Sequence, residues 1–290
     1  MNDTKPRVMM LIFAAMTMAL PIAAQGDLDQ KIDSNMPSWV EMYKHFHANP
    51  ELSTEEKETS ALVATTLRSL GYDVTDHFGR YEDANSVSYG VVAVLKNGPG
   101  PTVYVRTELD ALPVRENTGL PYASKTTVKR ANDEVGVMHA CGHDLHMAVF
   151  LGTAKMLAEE KIGWSGTVML IGQPAEEIVA GAAAMLRAGL YEKFPKPDYV
   201  LALHDSATLP AGQVAWHEGT MLAGADTVDI VIRGYGGHGA APHMAKDPIV
   251  IASELVVFLQ TIVSPGRGSA AADGNYGGFV PCRVEAQCDP

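Results

Sequence analysis

The sequence predicts an α/β fold: a mostly parallel sheet with helices on both faces, followed by the start of a smaller α+β domain. Three observations lead to this expectation. Between Thr102 and Leu203, strand-like runs alternate with helix-like segments, the pattern of a sheet covered on both sides. The residues with chemical potential follow the strand-like runs, and ligands of open α/β sheets gather beyond those strand ends. After His217 the texture changes to one strand, a glycine-rich loop and one helix. The chain has 290 residues, 47% of them hydrophobic, enough apolar material for one large core or two smaller ones.

The first residues are expected to lie outside the fold. Lys5 and Arg7 precede an apolar run from Val8 to Ile22, and Ala23 and Ala24 supply small residues after it. This predicts a secretory signal peptide over residues 1–24, cut near Ala24 or Gly26. The run is short for a membrane span. The mature protein is therefore expected in the periplasm or secreted, with no stable membrane association after cleavage. An uncleaved N-terminal anchor is the alternative. The formal charge of −12 and the absence of a basic cluster argue against nucleic acid as a partner. Three cysteines without paired spacings argue against a disulfide framework and leave Cys141 free to act as a ligand.

Residues 34–47 read as a first helix, with Pro37 in its first turn and Trp39, Met42, Tyr43 and Phe46 on one face. His45 and His47 on that helix carry no functional expectation. Asn49-Pro50 ends it. A second helix opens at Ser53-Thr54-Glu55-Glu56 with a capping hydroxyl, continues through Val63 and Leu67, and stops at Gly71. Residues 72–74, 87–95 and 102–106 read as strands, the last two joined by a turn at Asn97 to Gly100.

Chemistry concentrates in Met138-His139-Ala140-Cys141-Gly142-His143-Asp144-Leu145-His146. Cys141 and His143 can reach one cation from a turn, with Gly142 relieving the crowding between them. Asp144 sits where a helix over 145–160 would begin, as its cap or as a partner of a ligand. Glu108 and Asp110 follow one strand on the same side. Glu176 and Glu177 follow the strand 167–171, and adjacent acids are costly to hold together unless a cation or proton separates their roles. One can bind metal while the other serves as general base. His204 ends the strand 198–203. Residues 226–232 form the next strand, Gly234 to Gly239 make a loop that presents His238, and a helix runs from Asp247 through Ile262. The loop lacks the Lys-Ser/Thr ending of a phosphate loop and the spacing of a dinucleotide fingerprint.

Four motifs carry a family resemblance: His-Ala-Cys-Gly-His-Asp at 139–144, Gln-Pro-Ala-Glu-Glu at 173–177, Leu-His at 203–204 and Gly-Gly-His-Gly-Ala-x-Pro-His at 236–243. Over residues 38–264 the chain resembles the amidohydrolase branch of the metal-dependent aminoacylase and carboxypeptidase superfamily. That branch includes hippurate hydrolase, N-acyl-amino-acid amidohydrolases and plant auxin-conjugate hydrolases. The resemblance implies a zinc-peptidase-like catalytic domain over 25–217 and part of an inserted lid or dimerisation domain over 218–264. It implies Cys141, His143, Glu177 and His204 as metal ligands, Glu176 as general base, and Asp110 as an acid supporting the metal site. His238 would contact the substrate or its oxyanion. One or two divalent ions per chain are implied, zinc, manganese, nickel or cobalt. A thiolate ligand favours the softer of such ions over magnesium. The substrate would be an N-acyl amino acid or small peptide, and a full-length form could pair as a homodimer through the small domain. Glu108 departs from the family, which usually has Asp there.

From Pro265 no apolar period is read, and 265–290 is expected to be an aberrant, unstructured tail. Members of the family continue well beyond Ser264. The chain is thus expected to be C-terminally truncated, and a non-catalytic product with a partial metal site is the alternative to an active hydrolase.

Overall fold

The computed structural model describes residues 22–130, 133–219, 228–259 and 282–289. Residues up to Ser206 form one compact unit and those from Ala207 a second. The division falls before the change of texture after His217.

In the first unit five strands make one sheet in the order β1, β2, β6, β3, β7. They are β1 (Asp73–Thr75), β2 (Val91–Asn97), β3 (Thr102–Glu108), β6 (Gly166–Gln173) and β7 (Tyr199–Ala202). β3 pairs in parallel with β6 and β7, while β2 is antiparallel to both β1 and β6. Four strands therefore point one way and β2 points the other, in line with the expected mostly parallel sheet. A short hairpin, β4 (Thr127–Arg130) with β5 (Asp133–Gly136), lies outside this sheet and carries no clear pattern in the sequence.

The two faces of the sheet have separate cores, because neighbouring side chains on a strand point to opposite sides. Val91, Ala93 and Leu95 of β2 and Val168 and Leu170 of β6 pack with α1 (Ile22–Ala48), α2 (Lys57–Ser69) and α3 (His143–Glu159) through Phe46, Val63, Leu67, Met147, Phe150 and Leu151. Val92, Met169 and Ile171 face the other way, onto Met185 of α4 (Gly181–Arg187) and Leu190 of α5 (Leu190–Lys193). Each such Val, Leu, Ile, Met or Phe side chain, fully buried, contributes about 1.5–3 kcal/mol.

Several local expectations are corrected. The first helix begins at Ile22, so Pro37 is inside it and not in its first turn. Pro37 has no N–H for the Asp33 carbonyl one turn earlier, and side chains bond two other carbonyls around it. Ser34 Oγ and Asn35 Nδ2 donate to Lys31 O, and Ser38 Oγ donates to Asn35 O. The expected leader lies outside the described residues except for its end, and Ala24 and Gly26 fall at the start of α1. No described helix is long and apolar enough to cross a membrane. α2 starts after Glu56 without a capping hydroxyl. Instead the Glu51 carboxylate accepts from Glu58 N (3.0 Å) and Thr59 N (2.7 Å), an anion on the positive end of the helix.

In the second unit β8 (Val228–Tyr235) pairs in parallel with β9 (Cys282–Asp289), and α6 (Pro248–Leu259) lies between them in sequence. β9 falls within the stretch expected to be unstructured. Its residues alternate, Cys282, Val284, Ala286 and Cys288 against Arg283, Glu285, Gln287 and Asp289, a period of two that the glycines before it obscure. Tyr235 and Lys246 exchange backbone bonds of 3.1 and 3.0 Å and close the glycine-rich loop at its base.

Candidate metal centre

β6, β3 and β7 are neighbours that run in the same direction, so their carboxyl ends form one rim. Glu108 closes β3 opposite Gln173, the last residue of β6. The chain then delivers Asp110 from β3, Glu176 and Glu177 from β6, and His204 from β7 to that rim. Cys141 and His143 arrive from the turn into α3. Gly142 there has φ 77°, a left-handed conformation that a glycine adopts without strain.

Asp110 organises the rim. It is fully buried, and its two oxygens accept from Ser53 Oγ (2.6 Å), Glu176 N (3.0 Å) and Glu177 N (3.0 Å). Ala175, at φ 46°, turns the backbone so that both amides face Asp110, and its own N–H is held by Glu56 Oε1 at 2.7 Å. The Asp110 carbonyl accepts from His143 Nδ1 at 2.7 Å. A carbonyl only accepts, so Nδ1 carries a proton, and in the neutral ring the lone pair of His143 lies on Nε2. The same holds for His204, whose Nδ1 donates to the Asp205 carbonyl at 2.7 Å.

The two freed Nε2 atoms point toward the other candidate ligands. His204 Nε2 lies 3.5 Å from Cys141 Sγ. His143 Nε2 lies 3.8 Å from both Glu176 Oε2 and Glu177 Oε1. Cys141, His143 and His204 place ligand atoms within 4.8 Å of one another, and so do His143, Glu176 and Glu177. His143 belongs to both groups. His143 Nε2 and Glu177 Oε1 are buried, and neither has a hydrogen-bond partner among the described residues. A lone pair and a carboxylate oxygen face each other there, an arrangement that a cation would satisfy and that is costly without one. The residues present therefore fit a divalent ion.

Electrostatics agree. Burial, then the charges of Glu177 and Glu176, push the Cys141 thiol up to about 12. Burial also raises Glu177, with Glu176 and Asp110 adding to it and His143 opposing. The two glutamates differ in access: the Glu177 side chain is 15% exposed and that of Glu176 38%. The inner carboxylate suits a ligand, and the outer one can exchange protons with solvent.

Two other groups at the rim look similar on distance alone: Glu108, His143 and His146, and His146, His204 and Asp205. They differ in being satisfied. His146 Nδ1 faces Glu108 Oε2 at 3.1 Å, Asp205 N donates to His146 Nε2 at 2.9 Å, and Glu108 is ion-paired with Arg106. Asp144 lies just inside α3, whose N-cap position is Gly142, and its Oδ1 accepts from Leu145 N of the first turn at 2.9 Å. Its Oδ2 meets His47 Nδ1 at 2.6 Å, and His47 Nε2 meets Glu116 at 3.1 Å. Burial works against a charge on His47, but Glu116 and Asp144 outweigh it and hold its pKa above the ordinary value. His47 is thus a buried tie between α1 and α3, missed because a lone histidine on an amphipathic helix is usually unremarkable. His146 stands one helical turn after His143, at i+3, a spacing that puts both on one face. His139 is buried with neither ring nitrogen partnered among the described residues, and burial, then the charges of nearby imidazoles, pushes its pKa down to about 3. His238 belongs to the second unit, exposed in the loop after β8, where its Nδ1 accepts from Ala240 N at 3.1 Å.

Fold and donor set together define an α/β protein with groups able to hold a metal at the carboxyl rim of its sheet. The chain belongs to the Peptidase family M20/M25/M40, whose sequence profile matches residues 104–277. It is 43% identical over 219 residues to a hippurate hydrolase from Campylobacter jejuni, covering 75% of this chain and 52% of the relative. It is 39% identical over 222 residues to an N-acetyl-L-cysteine deacetylase from Bacillus subtilis, covering 76% and 49%. Its fold is similar to the crystal structure of the Bacillus subtilis YXEP protein, described as a dinuclear metal-binding peptidase of the M20 family. The TM-score is 0.55 at 29% identity, over 79% of this chain and 57% of that one. The chain spans about half the length of these two curated relatives.

Proposed function

We propose that the protein hydrolyses the amide bond of N-acyl amino acids or small peptides, with one or two divalent ions held by Cys141, His143, Glu177 and His204. The observation that carries this reading is the unpartnered pair His143 Nε2 and Glu177 Oε1, buried 3.8 Å apart among further ligand atoms. The names of the two relatives, which act on hippurate and N-acetyl-L-cysteine, support an acylated amino acid as substrate. Bound there, the ion supplies a water of lowered pKa and a Lewis-acidic contact for the scissile carbonyl. Asp110 holds the backbone of Glu176 and Glu177 and sets the tautomer of His143. Glu176, the more exposed of the pair, takes the proton from the attacking water and hands it to the leaving amine. His238 is proposed to steady the developing oxyanion. A cleft of about 330 Å³, lined by Ala140, Gly142, Asp144 and Asp205 among others, adjoins the turn that carries Cys141 and His143. The leader read in the sequence of residues 1–24 supports a periplasmic or secreted location.

The test is made on the full-length protein. Metal content per chain is measured, and hydrolysis of hippurate and N-acetyl-L-cysteine is followed with and without a chelator. Metal uptake with chelator-sensitive hydrolysis is expected. A metal-loaded protein that cleaves no N-acyl amino acid or dipeptide would refute the reading.

A further inference from the structure

We infer that His146, which is not itself a ligand, is the positioning residue that docks the His204-bearing segment at the metal centre. The inference rests on the reading of Cys141, His143, Glu177 and His204 as ligands. It begins with a weakness of the fold. β7 is the edge strand of the sheet, bonded to β3 over four residues, and Tyr199, Val200 and Leu201 are all more than half exposed. His204 leaves the end of that strand and is itself exposed. Among the described residues little apolar packing fixes where its ring lies.

The fixing comes from one buried imidazole. His146 is 3% exposed, and Asp205 N donates to its Nε2 at 2.9 Å. The same nitrogen lies 3.3 Å from Asp205 Oδ1, so His146 grips residue 205 either as acceptor or, when protonated, as donor. Its ring meets the His204 ring edge-on, with centroids 4.7 Å apart. On the other side Nδ1 faces Glu108 Oε2 at 3.1 Å, and Glu108 is paired with Arg106 of β3. A polar chain, buried at Glu108 and His146, thus runs from Arg106 to Asp205, joining β3, α3 and the end of β7. Gly142 completes the seat: a Cβ there would lie 2.4 Å from Asp205 Oδ1. With both nitrogens of His146 engaged, no lone pair remains for an ion. What His146 supplies is the position of its neighbour's Nε2, and losing such an outer partner costs roughly 10–100-fold in metal affinity.

Two readouts test this, one of them free of metal. In metal-free protein the Asp205 amide is expected to be protected from hydrogen exchange. His146→Asn can still reach Glu108 but is too short for Asp205, and should lose that protection. His146→Gln can place an amide oxygen where Nε2 was, and should keep it. Cobalt titrations followed through the thiolate charge-transfer band should then show about 10–100-fold weaker binding for His146→Asn and near-native binding for His146→Gln. Equal cobalt affinity in the wild type and His146→Asn would overturn the inference. So would an Asp205 amide that exchanges at open-chain rates in the metal-free wild type, a result that needs no variant to fold. Protection that changes as expected while no chain, wild type included, takes up cobalt would instead remove the metal reading on which the inference stands.

Discussion

His143 Nε2 and Glu177 Oε1 lie 3.8 Å apart, buried, with no hydrogen-bond partner for either among the described residues. Two electron-rich atoms in that position cost stability unless a cation stands between them. Adding zinc or cobalt to chelator-treated protein should therefore raise the unfolding midpoint. At a hundredfold excess over the dissociation constant the gain is about 2.7 kcal/mol. A thermal melt that does not move on adding either ion would show that the set is no metal site.

The second prediction separates the two glutamates. Glu176→Gln should keep the metal, because Glu176 is the outer carboxylate, and should lose about 10²–10⁴-fold in turnover. Glu177→Gln should lose metal first. Metal content and hippurate hydrolysis measured on both variants check this, and substantial turnover in Glu176→Gln would sink the assignment.

Asp110 accepts three hydrogen bonds from Ser53, Glu176 and Glu177 with two oxygens. An asparagine offers one oxygen and turns an N–H₂ group toward a backbone donor. Asp110→Asn should cost about 1–3 kcal/mol, the penalty for leaving a buried donor unpaired. It should also weaken metal binding, since the backbone amide of one of the two glutamates loses its acceptor. Urea unfolding with an unchanged slope, together with a metal titration, reads both effects.

Gly142→Ala puts a Cβ at φ 77° and 2.4 Å from Asp205 Oδ1. The left-handed backbone alone costs roughly 1–2 kcal/mol. The displaced Asp205 should carry His204 with it, so metal affinity is expected to fall by more than stability alone explains. Native-like metal binding in a folded Gly142→Ala would contradict the close approach.

Glu56, which is not a proposed ligand but holds the Ala175 amide, provides a pH signature of its own. Burial raises its pKa from 4.5 to about 7; backbone hydrogen bonds oppose this, and the charge of Asp110 adds to it. Below pH 4.5 both folded and unfolded states hold the proton, and stability is at its full value. Between pH 4.5 and 7 the unfolded state has released a proton that the folded state keeps, so stability falls as pH rises. The total is roughly 3 kcal/mol, reached above pH 7. Glu56→Gln keeps an oxygen for Ala175 N without the charge. Metal-free urea midpoints at pH 5 and pH 8 should show the variant gaining on the wild type at the higher pH. Parallel pH profiles for the two proteins would reject this origin.

The sheet was legible because its signals are local. The strand 102–106 is extended by two residues in β3, and the strand 167–171 by one residue before and two after in β6, since apolar runs bounded by glycine or acids mark buried strands. β9 was missed because glycines crowd the residues before it, although its own alternation is clean. The hairpin β4–β5 was missed because neither strand alternates between apolar and polar residues.

What the sequence determined by itself is the inventory: a thiol, imidazoles and carboxylates, each placed at a strand end or helix start. Residue type and short-range periodicity encode that much. Which imidazole is left open to a metal and which is already engaged was decided by tertiary structure. His143 is freed at Nε2 by a carbonyl 33 positions away, His146 is engaged at Nε2 by an amide 59 positions away, and His47 is tied to a carboxylate 97 positions away. A lone pair is available to a metal only if nothing in the folded chain already claims it, and those claims come from residues that meet only when the sheet and its helices have assembled.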